Sequence, residues 1–578
     1  MEAVSTSNRP ASPVAALALV SSFAYLACAG PPGPPGASGV APGGGTGASG
    51  GPAGVDAGSA GGAGGAGGGG ATGGDPDAGA ADLTLTVQTD KGARPISPYV
   101  YGMNYGLVGT APAKSVKAPL FRLGGNDLSG YNWEIDATNG GDHKGFANRA
   151  LGAGTGTGAS ILETLGVASA NAGAAVVTVP MGDFVAADTL PGDVHGSGPG
   201  YLATRFRKNV VTKGGPFAAS PDASDDSVYQ DEAVSWVAAH AGAAPVFFSL
   251  DNQPELWAED HSEIHPAAPT YAEVVARSVA FAKMIKGTWP SAPVTGYASY
   301  GWQGYVNLQN APDGSGKGEF VSYYLDQMRL AEQAGGTRLL DYLDLHWWPE
   351  ATGGGVRIIG ADAGPEVVLA RLSAPRSLWD ASYVEKSWIA DNLQINGDTI
   401  RLLPRARGWI ADHYPGTKLA ISAWYYGGGG DVSGAIATAD VLGIFGREGV
   451  DLAAVDLTSG DESFTIAAFR AYLDFDGAGA HFGNTSVQAT TSDVSGSSLY
   501  ASVDAGDPSR VVVVALNKRS EARSAVLTVG GSFTTCAVYR LEAASAAFSA
   551  RSPVAAASPG VFRTTIPGRS ITVFVVRP

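Results

Sequence analysis

Four short apolar runs in this chain end in clusters of amides, carboxylates, indoles and a histidine. Val246–Leu250 is followed by Asp251-Asn252-Gln253-Pro254-Glu255-Leu256-Trp257. Leu343–Leu345 leads into His346-Trp347-Trp348-Pro349, and Leu419–Ser422 into Ala423-Trp424-Tyr425-Tyr426 and a run of glycines. Phe121-Arg122-Leu123 leads into Gly124-Gly125-Asn126. Amides such as Asn126 and Asn252 both donate and accept hydrogen bonds. The rings of Trp257, Trp302, Trp347, Trp348 and Tyr425 offer flat apolar faces with one polar edge. Together with His346 they are the equipment of a cleft for a neutral, hydroxyl-rich chain, that is, a carbohydrate. Plainer readings stand beside this one. Trp257 and Trp302 could be rim packing, and Asp251 and Glu255 supporting or surface groups. Asp456, at another strand end, could be an acid or a helix cap. Asp451, Asp461 and Glu462 could hold calcium through oxygen ligands or form a solvated loop, and no cofactor is required.

Those residues converge only if the elements bring them to one face. The apolar runs Pro119–Leu123, Ala175–Val179, Val246–Leu250, Val294–Tyr297, Leu343–Leu345, Leu419–Ser422 and Leu452–Leu457 alternate with helix candidates. The clearest helix spans Thr270–Trp289. Thr270 and Glu273 form a capping box, and Val275, Val279, Ala282 and Ile285 keep helical spacing. Repeated strand–helix units of this kind predict an α/β fold, a (β/α)8 barrel over 111–473, which works at the C-terminal ends of its strands. From 474 to 578 the pattern becomes short strands with no intervening helix, a β-sandwich. The alternating Leu83-Thr84-Leu85-Thr86-Val87 joins it, so 83–110 is assigned to the sandwich.

The formal charge of −16 leaves no basic stripe for nucleic acid and is compatible with a neutral polysaccharide. The two cysteines, Cys28 and Cys536, exclude a disulfide framework and a cysteine metal site. Residues 1–28 read as an export signal, with an apolar run from Val14 to Ala27. Cys28 fits lipoprotein processing, giving an outer-membrane or cell-surface protein whose only membrane contact is a lipid anchor. Ala27-Cys28-Ala29 also fits ordinary cleavage and free secretion. Residues 29–82 are dominated by Gly, Ala, Pro and Ser and read as a flexible linker.

Several ordered stretches carry a resemblance. They are Ile96–Asn104, Arg122–Asn126, Tyr131–Glu134, Val228–Glu232, Leu250–Trp257, Asp344–Pro349, Ser433–Gly446 and Phe482–Val487. With these the chain resembles glycoside hydrolase family 44, whose members cut β-1,4-glucans. The resemblance implies a β-glucan ligand and a retaining mechanism with two glutamates about 5–5.5 Å apart. The acid/base of the family follows the asparagine of a Leu-Asp-Asn-Glu-Pro run, and that position here is Gln253. Its nucleophile lies in a Thr-Glu-Tyr run, and that position is Ala423. Gln253 keeps the shape of glutamate but has no acidic proton. Ala423 removes the nucleophile altogether. Leu123, the Trp347-Trp348 pair and Asp456 also depart from the family pattern. The expectation is a non-catalytic glucan-binding protein. The alternatives are a hydrolase with relocated carboxylates, Asp456 and Glu255 first, and a structural or adhesive surface protein.

Overall fold

The computed structural model describes residues 81–104, 116–457 and 460–578. The expected signal segment, Cys28 and nearly all of the expected linker lie outside them.

Strand β1 (Leu83–Gln88) alternates buried and exposed residues, as its Leu-Thr-Leu-Thr-Val pattern requires. The barrel strands are β2 (Gly102–Asn104), β3 (Leu120–Leu123), β4 (Ala174–Val179), β5 (Val246–Leu250), β6 (Val294–Ser299), β7 (Tyr342–Trp347), β8 (Lys418–Trp424) and β9 (Leu452–Val455). They pair in chain order, all parallel, and close with β9 on β2. Helices α1 (Ala159–Ala170), α2 (Gln230–His240), α3 (Tyr271–Thr288), α4 (Phe320–Gly335), α5 (Leu402–His413) and α6 (Val432–Glu448) link β3 through β9. A last helix, α7 (Ser463–Leu473), leads out of the barrel. No helix among the described residues is long and apolar enough to cross a membrane.

Two expectations need correction. Gly102–Asn104 is the first barrel strand, so the barrel begins before 111 and only the start of 83–110 belongs to the sandwich. Gly-Met-Asn is too short to show a period, and Gly102 is demanded by packing: a Cβ there would overlap the Ala453 carbonyl and Leu120. The capping box at α3 forms by half. Thr270 Oγ1 accepts the Glu273 N–H at 3.0 Å, but the Glu273 carboxylate turns to His265 (2.9 Å) and Arg277 (3.1 Å).

After the barrel come β10 (Thr485–Thr491), β11 (Ser497–Asp504), β12 (Asp507–Asn517), β13 (Arg523–Val529), β14 (Thr535–Glu542), β15 (Ser545–Ser558), β16 (Val561–Ile566) and β17 (Ser570–Arg577). With β1 and the short Arg94–Pro95 strand they form one 10-stranded sheet. It folds over a core because β1 pairs both with β10, antiparallel, and with β13, parallel. On β12, Val511, Val513 and Ala515 enter that core, while Val512, Val514 and Leu516 face the barrel.

Helix α6 fills the seam between barrel and sandwich and is buried from Val432 to Gly446. A helix buried all round needs small and apolar residues, which explains its Gly/Ala-rich sequence. Its one buried charge, Asp440, accepts from Lys518 Nζ and Tyr500 OH of the sandwich, each at 2.6 Å.

Candidate functional site

At the C-terminal end of β5 the chain makes a tight left-handed turn. Asp251 and Gln253 have φ of 58° and 48°. Such values cost about 1–3 kcal/mol for residues other than glycine and persist where the surroundings enforce them. Here the Asp251 carboxylate accepts from Ser129 Oγ, Met181 N and Asn252 N. The Gln253 N–H donates to the Ala298 carbonyl at 2.9 Å. Asp251 is therefore the brace of the turn that presents Asn252 and Gln253, and is not a reacting acid.

Beneath them lies a buried polar network. Arg122 is fully enclosed; its two Nη donate to Asn104 Oδ1 (2.9 Å) and Asn252 Oδ1 (2.8 Å). Gly124 is glycine because a Cβ there would overlap the Arg122 guanidinium. Burial lowers the Arg122 pKa, and the charges of Asp344 and Asp456 oppose that shift. Asp344 is raised by burial, with Arg122 pulling the other way. His346 is held well below its ordinary pKa, first by burial and then by the Arg122 charge, so its imidazole is neutral. It lies 2.9 Å from Gln253 Nε2 through Nδ1 and 3.1 Å from Ser422 Oγ through Nε2. Ala423 on β8 is the register partner of His346 on β7. Asn252, Gln253, His346 and Ala423 thus meet at one end of the barrel, whereas Asn126 is turned to His261, its Oδ1 3.1 Å from His261 Nε2.

The aromatic expectations divide. Trp348 is half-buried at the rim. Trp347 is core, its Nε1 donating to Tyr426 OH at 3.1 Å. Tyr425 is also core, with its hydroxyl on the Glu462 carboxylate. Trp257 packs against His265 and Arg277, and Trp302 against Tyr305 and Arg405. None of these four presents an open ring face to a ligand, because each is at most 9% exposed. An indole the sequence reading passed over, Trp388, is 38% exposed. Its ring N–H meets Glu350, and Glu350 pairs with Arg357 at 2.7 Å. Arg357 in turn donates to the Trp348 and Pro349 carbonyls, both at 3.0 Å, so Trp388 is tied to the rim that carries Trp348. Only a tertiary contact joins positions this far apart in the chain.

The stray carboxylates separate as well. Glu255 is buried and turned away from Gln253, accepting from Ser299 Oγ and Tyr300 N. Asp456 is half-buried, extends β9 onto β8 through its N–H to the Trp424 carbonyl (3.0 Å), and balances Arg122. Burial raises its pKa, Arg122 and the Leu457 N–H lower it, and Glu462 raises it. The carboxylates offered either as a calcium site or as a solvated loop do not all converge: Asp451 precedes β9 and accepts from Leu419 N at 3.1 Å, at the opposite end of the strand from Glu462. Among the described residues, Asp142, His143 and Asp260 bring ligand atoms within 4.8 Å of one another. A histidine in the set suits a borderline transition ion better than calcium.

Burial pushes the Glu255 pKa up to about 7, against its bonds to Ser299 and Tyr300. The folded chain then holds this proton more tightly than the unfolded one. Stability is full below the unfolded value and falls as pH rises toward 7, by about 3 kcal/mol in total. Glu255→Gln removes that slope. Urea unfolding at pH 5 and pH 8 should show a smaller loss in the variant, and an unchanged loss would refute the assignment.

The family model of glycoside hydrolase family 44 matches residues 129–351. The chain is 40% identical to endoglucanase A of Paenibacillus lautus over 76% of its own length and 64% of that protein. It is 37% identical to the beta-mannanase/endoglucanase A of Caldicellulosiruptor saccharolyticus over 84% of its length, spanning 38% of that protein. It thus covers less than two thirds of either relative. A solved family 44 xyloglucanase from Paenibacillus polymyxa superposes with TM-score 0.81 at 36% identity, covering 86% of this chain and 99% of that one. The family 44 endoglucanase of Clostridium thermocellum gives 0.80 at 34%, with the same coverage. With a closed parallel barrel, a sandwich at its C-terminal end and near-complete coverage of these solved relatives, the chain belongs to glycoside hydrolase family 44.

Proposed function

We propose that this protein binds β-1,4-linked glucan chains at the C-terminal mouth of its barrel and does not cleave them by the retaining route of its family. The observation that carries this reading is the pair of residues at the two strand ends: Gln253 has no proton acidic enough to release a leaving group, and Ala423 has no nucleophile. The neutral His346, the buried Arg122 network and the rim indoles Trp348 and Trp388 support a polar floor with aromatic walls. A family 44 xyloglucanase has been solved with xyloglucan, which makes that polymer the first ligand to try.

Calorimetry with xyloglucan oligosaccharides, mixed-linkage glucan and cello-oligosaccharides should give heat with at least one, while reducing-end assays on the same polymers stay at background. Absence of heat with every glycan would sink the binding reading, and new reducing ends the non-catalytic one. Trp348→Ala and Trp388→Ala should each weaken binding about tenfold, or 1.4 kcal/mol; full affinity in both would remove the rim from the site.

A second reading has one observation behind it. Asp456 lies at the strand end beside the Ala423 strand, with a raised pKa, as a relocated acid would. In that case product release would be measurable and Asp456→Asn would abolish it. We also propose export, on the strength of residues 1–28 alone. Lipid labelling that disappears in Cys28→Ala would separate an anchored from a free product.

A further inference from the structure

We propose that Asp142, His143 and Asp260 form a binding site for one divalent transition ion, zinc before others, beside the mouth of the barrel. The site is separate from Gln253 and Ala423 and does not depend on glucan binding.

The three residues come from two segments that follow barrel strands. Gly141–Lys144 makes one turn of 3-10 helix in the connection from β3 to α1. Asp260 ends the short helix Trp257–Asp260 after β5. Gly141 lets the two segments touch, since a Cβ there would overlap the Asp260 carbonyl. The turn itself is held by the Gly141 N–H on Asn139 Oδ1 (2.8 Å) and by the Phe146 N–H on the Gly141 carbonyl (2.7 Å). Backbone contacts therefore bring the three side chains together, and an ion would not have to assemble them.

The spacing of the ligand atoms suits a small ion. His143 Nε2 lies 3.5 Å from Asp260 Oδ1 and 3.6 Å from Asp142 Oδ1. Both separations are longer than a hydrogen bond of about 2.7–3.2 Å. They match neighbouring ligands on a tetrahedral ion, where bonds of about 2.0–2.2 Å set donor atoms about 3.3–3.6 Å apart. All three atoms lie within 4.8 Å of one another, and the Asp142 side chain, half exposed, has room to turn and close the remaining gap.

Asp260 points to a cation independently. Its side chain is only 9% exposed, yet among the described residues its carboxylate has no partner nearer than His143 at 3.5 Å. A buried carboxylate is costly without close donors or a counter-charge. Here the neighbours are the wrong sign: Asp142 and Glu259 both face the Asp260 charge. A divalent ion would neutralise this excess. One imidazole with two carboxylates favours zinc over calcium, which takes six to eight oxygens. With three protein ligands, a fourth position is left to solvent on the exposed side of His143 and Asp142.

Calorimetry on the full chain, stripped with EDTA and dialysed, tests the site. ZnCl2 should bind as one ion per chain, and CaCl2 at the same concentrations should give no heat. CoCl2 should produce visible absorption bands that report the ligands around the ion. His143→Ala and Asp260→Asn should each weaken zinc binding about tenfold or more. His195→Ala, which removes an exposed His–Asp pair elsewhere, should leave it unchanged. Absence of zinc binding would overturn the proposal and leave an ion-paired triad. Zinc binding that survives both His143→Ala and Asp260→Asn would also overturn it, as an adventitious ion only. Calcium bound as tightly as zinc would overturn the assignment of the ion. Melting curves without metal check that the variants fold, and His143→Ala, at the part-exposed position, carries the test alone if Asp260→Asn does not.

Discussion

The variant Gln253→Glu/Ala423→Glu should hydrolyse soluble β-1,4-glucan or xyloglucan, while Gln253→Glu alone should not and Ala423→Glu alone should do so far more slowly. The geometry favours this outcome. The Gln253 side chain reaches His346 at 2.9 Å, and Ala423 is the register partner of His346 on the neighbouring strand. Both positions thus adjoin His346, and a retaining pair needs its two carboxyl groups about 5–5.5 Å apart. The nucleophile is an all-or-none requirement, because without it no glycosyl-enzyme forms. The acid is a graded one: the double variant should exceed Ala423→Glu alone by roughly 10²–10⁴ in rate. Reducing-end release and retention of anomeric configuration in the first product are the measurements. Binding of glucan by the double variant without turnover would show that Leu123, Trp348 or Asp456 also stands in the way.

Asp440→Ala should lower unfolding free energy by about 3–5 kcal/mol, the range for removing one partner of a buried ion pair. Asp440 accepts from Lys518 and Tyr500 across the seam between barrel and sandwich, and both partners of the ion pair are almost wholly buried. Without Asp440 the Lys518 ammonium remains enclosed with no counter-charge. Replacing both members, as Asp440→Leu with Lys518→Met, should be much milder, because a buried pair adds little over well-packed apolar groups. Urea unfolding of the three variants decides the matter. A loss below about 1 kcal/mol for Asp440→Ala would mean that the seam is held by α6 packing alone.

The barrel was legible in the sequence where strands were apolar runs and helices carried caps. Val246–Leu250 and α3 appear where their residues place them, because burial on both faces and a Thr270 cap leave local signals that survive folding. Gly102–Asn104 and the Ala/Ser-rich β15 were not legible, because neither has an apolar period: the first is defined by its neighbours' hydrogen bonds and the second is largely exposed. The same division runs through the site. That Gln253 and Ala423 stand at strand ends could be read from their flanking apolar runs, since such a run is a local property of the chain. That Trp257, Trp302, Trp347 and Tyr425 are enclosed, that Trp388 is open, and that Asp451 points to the wrong end of the barrel depended on packing between distant segments. The sequence alone thus determined that an amide and a methyl group stand at the ends of these two strands, because identity is covalent. Only the tertiary structure decided what surrounds those groups, since the contacts of His346 with Gln253, Ser422 and Arg122 join segments far apart in the chain.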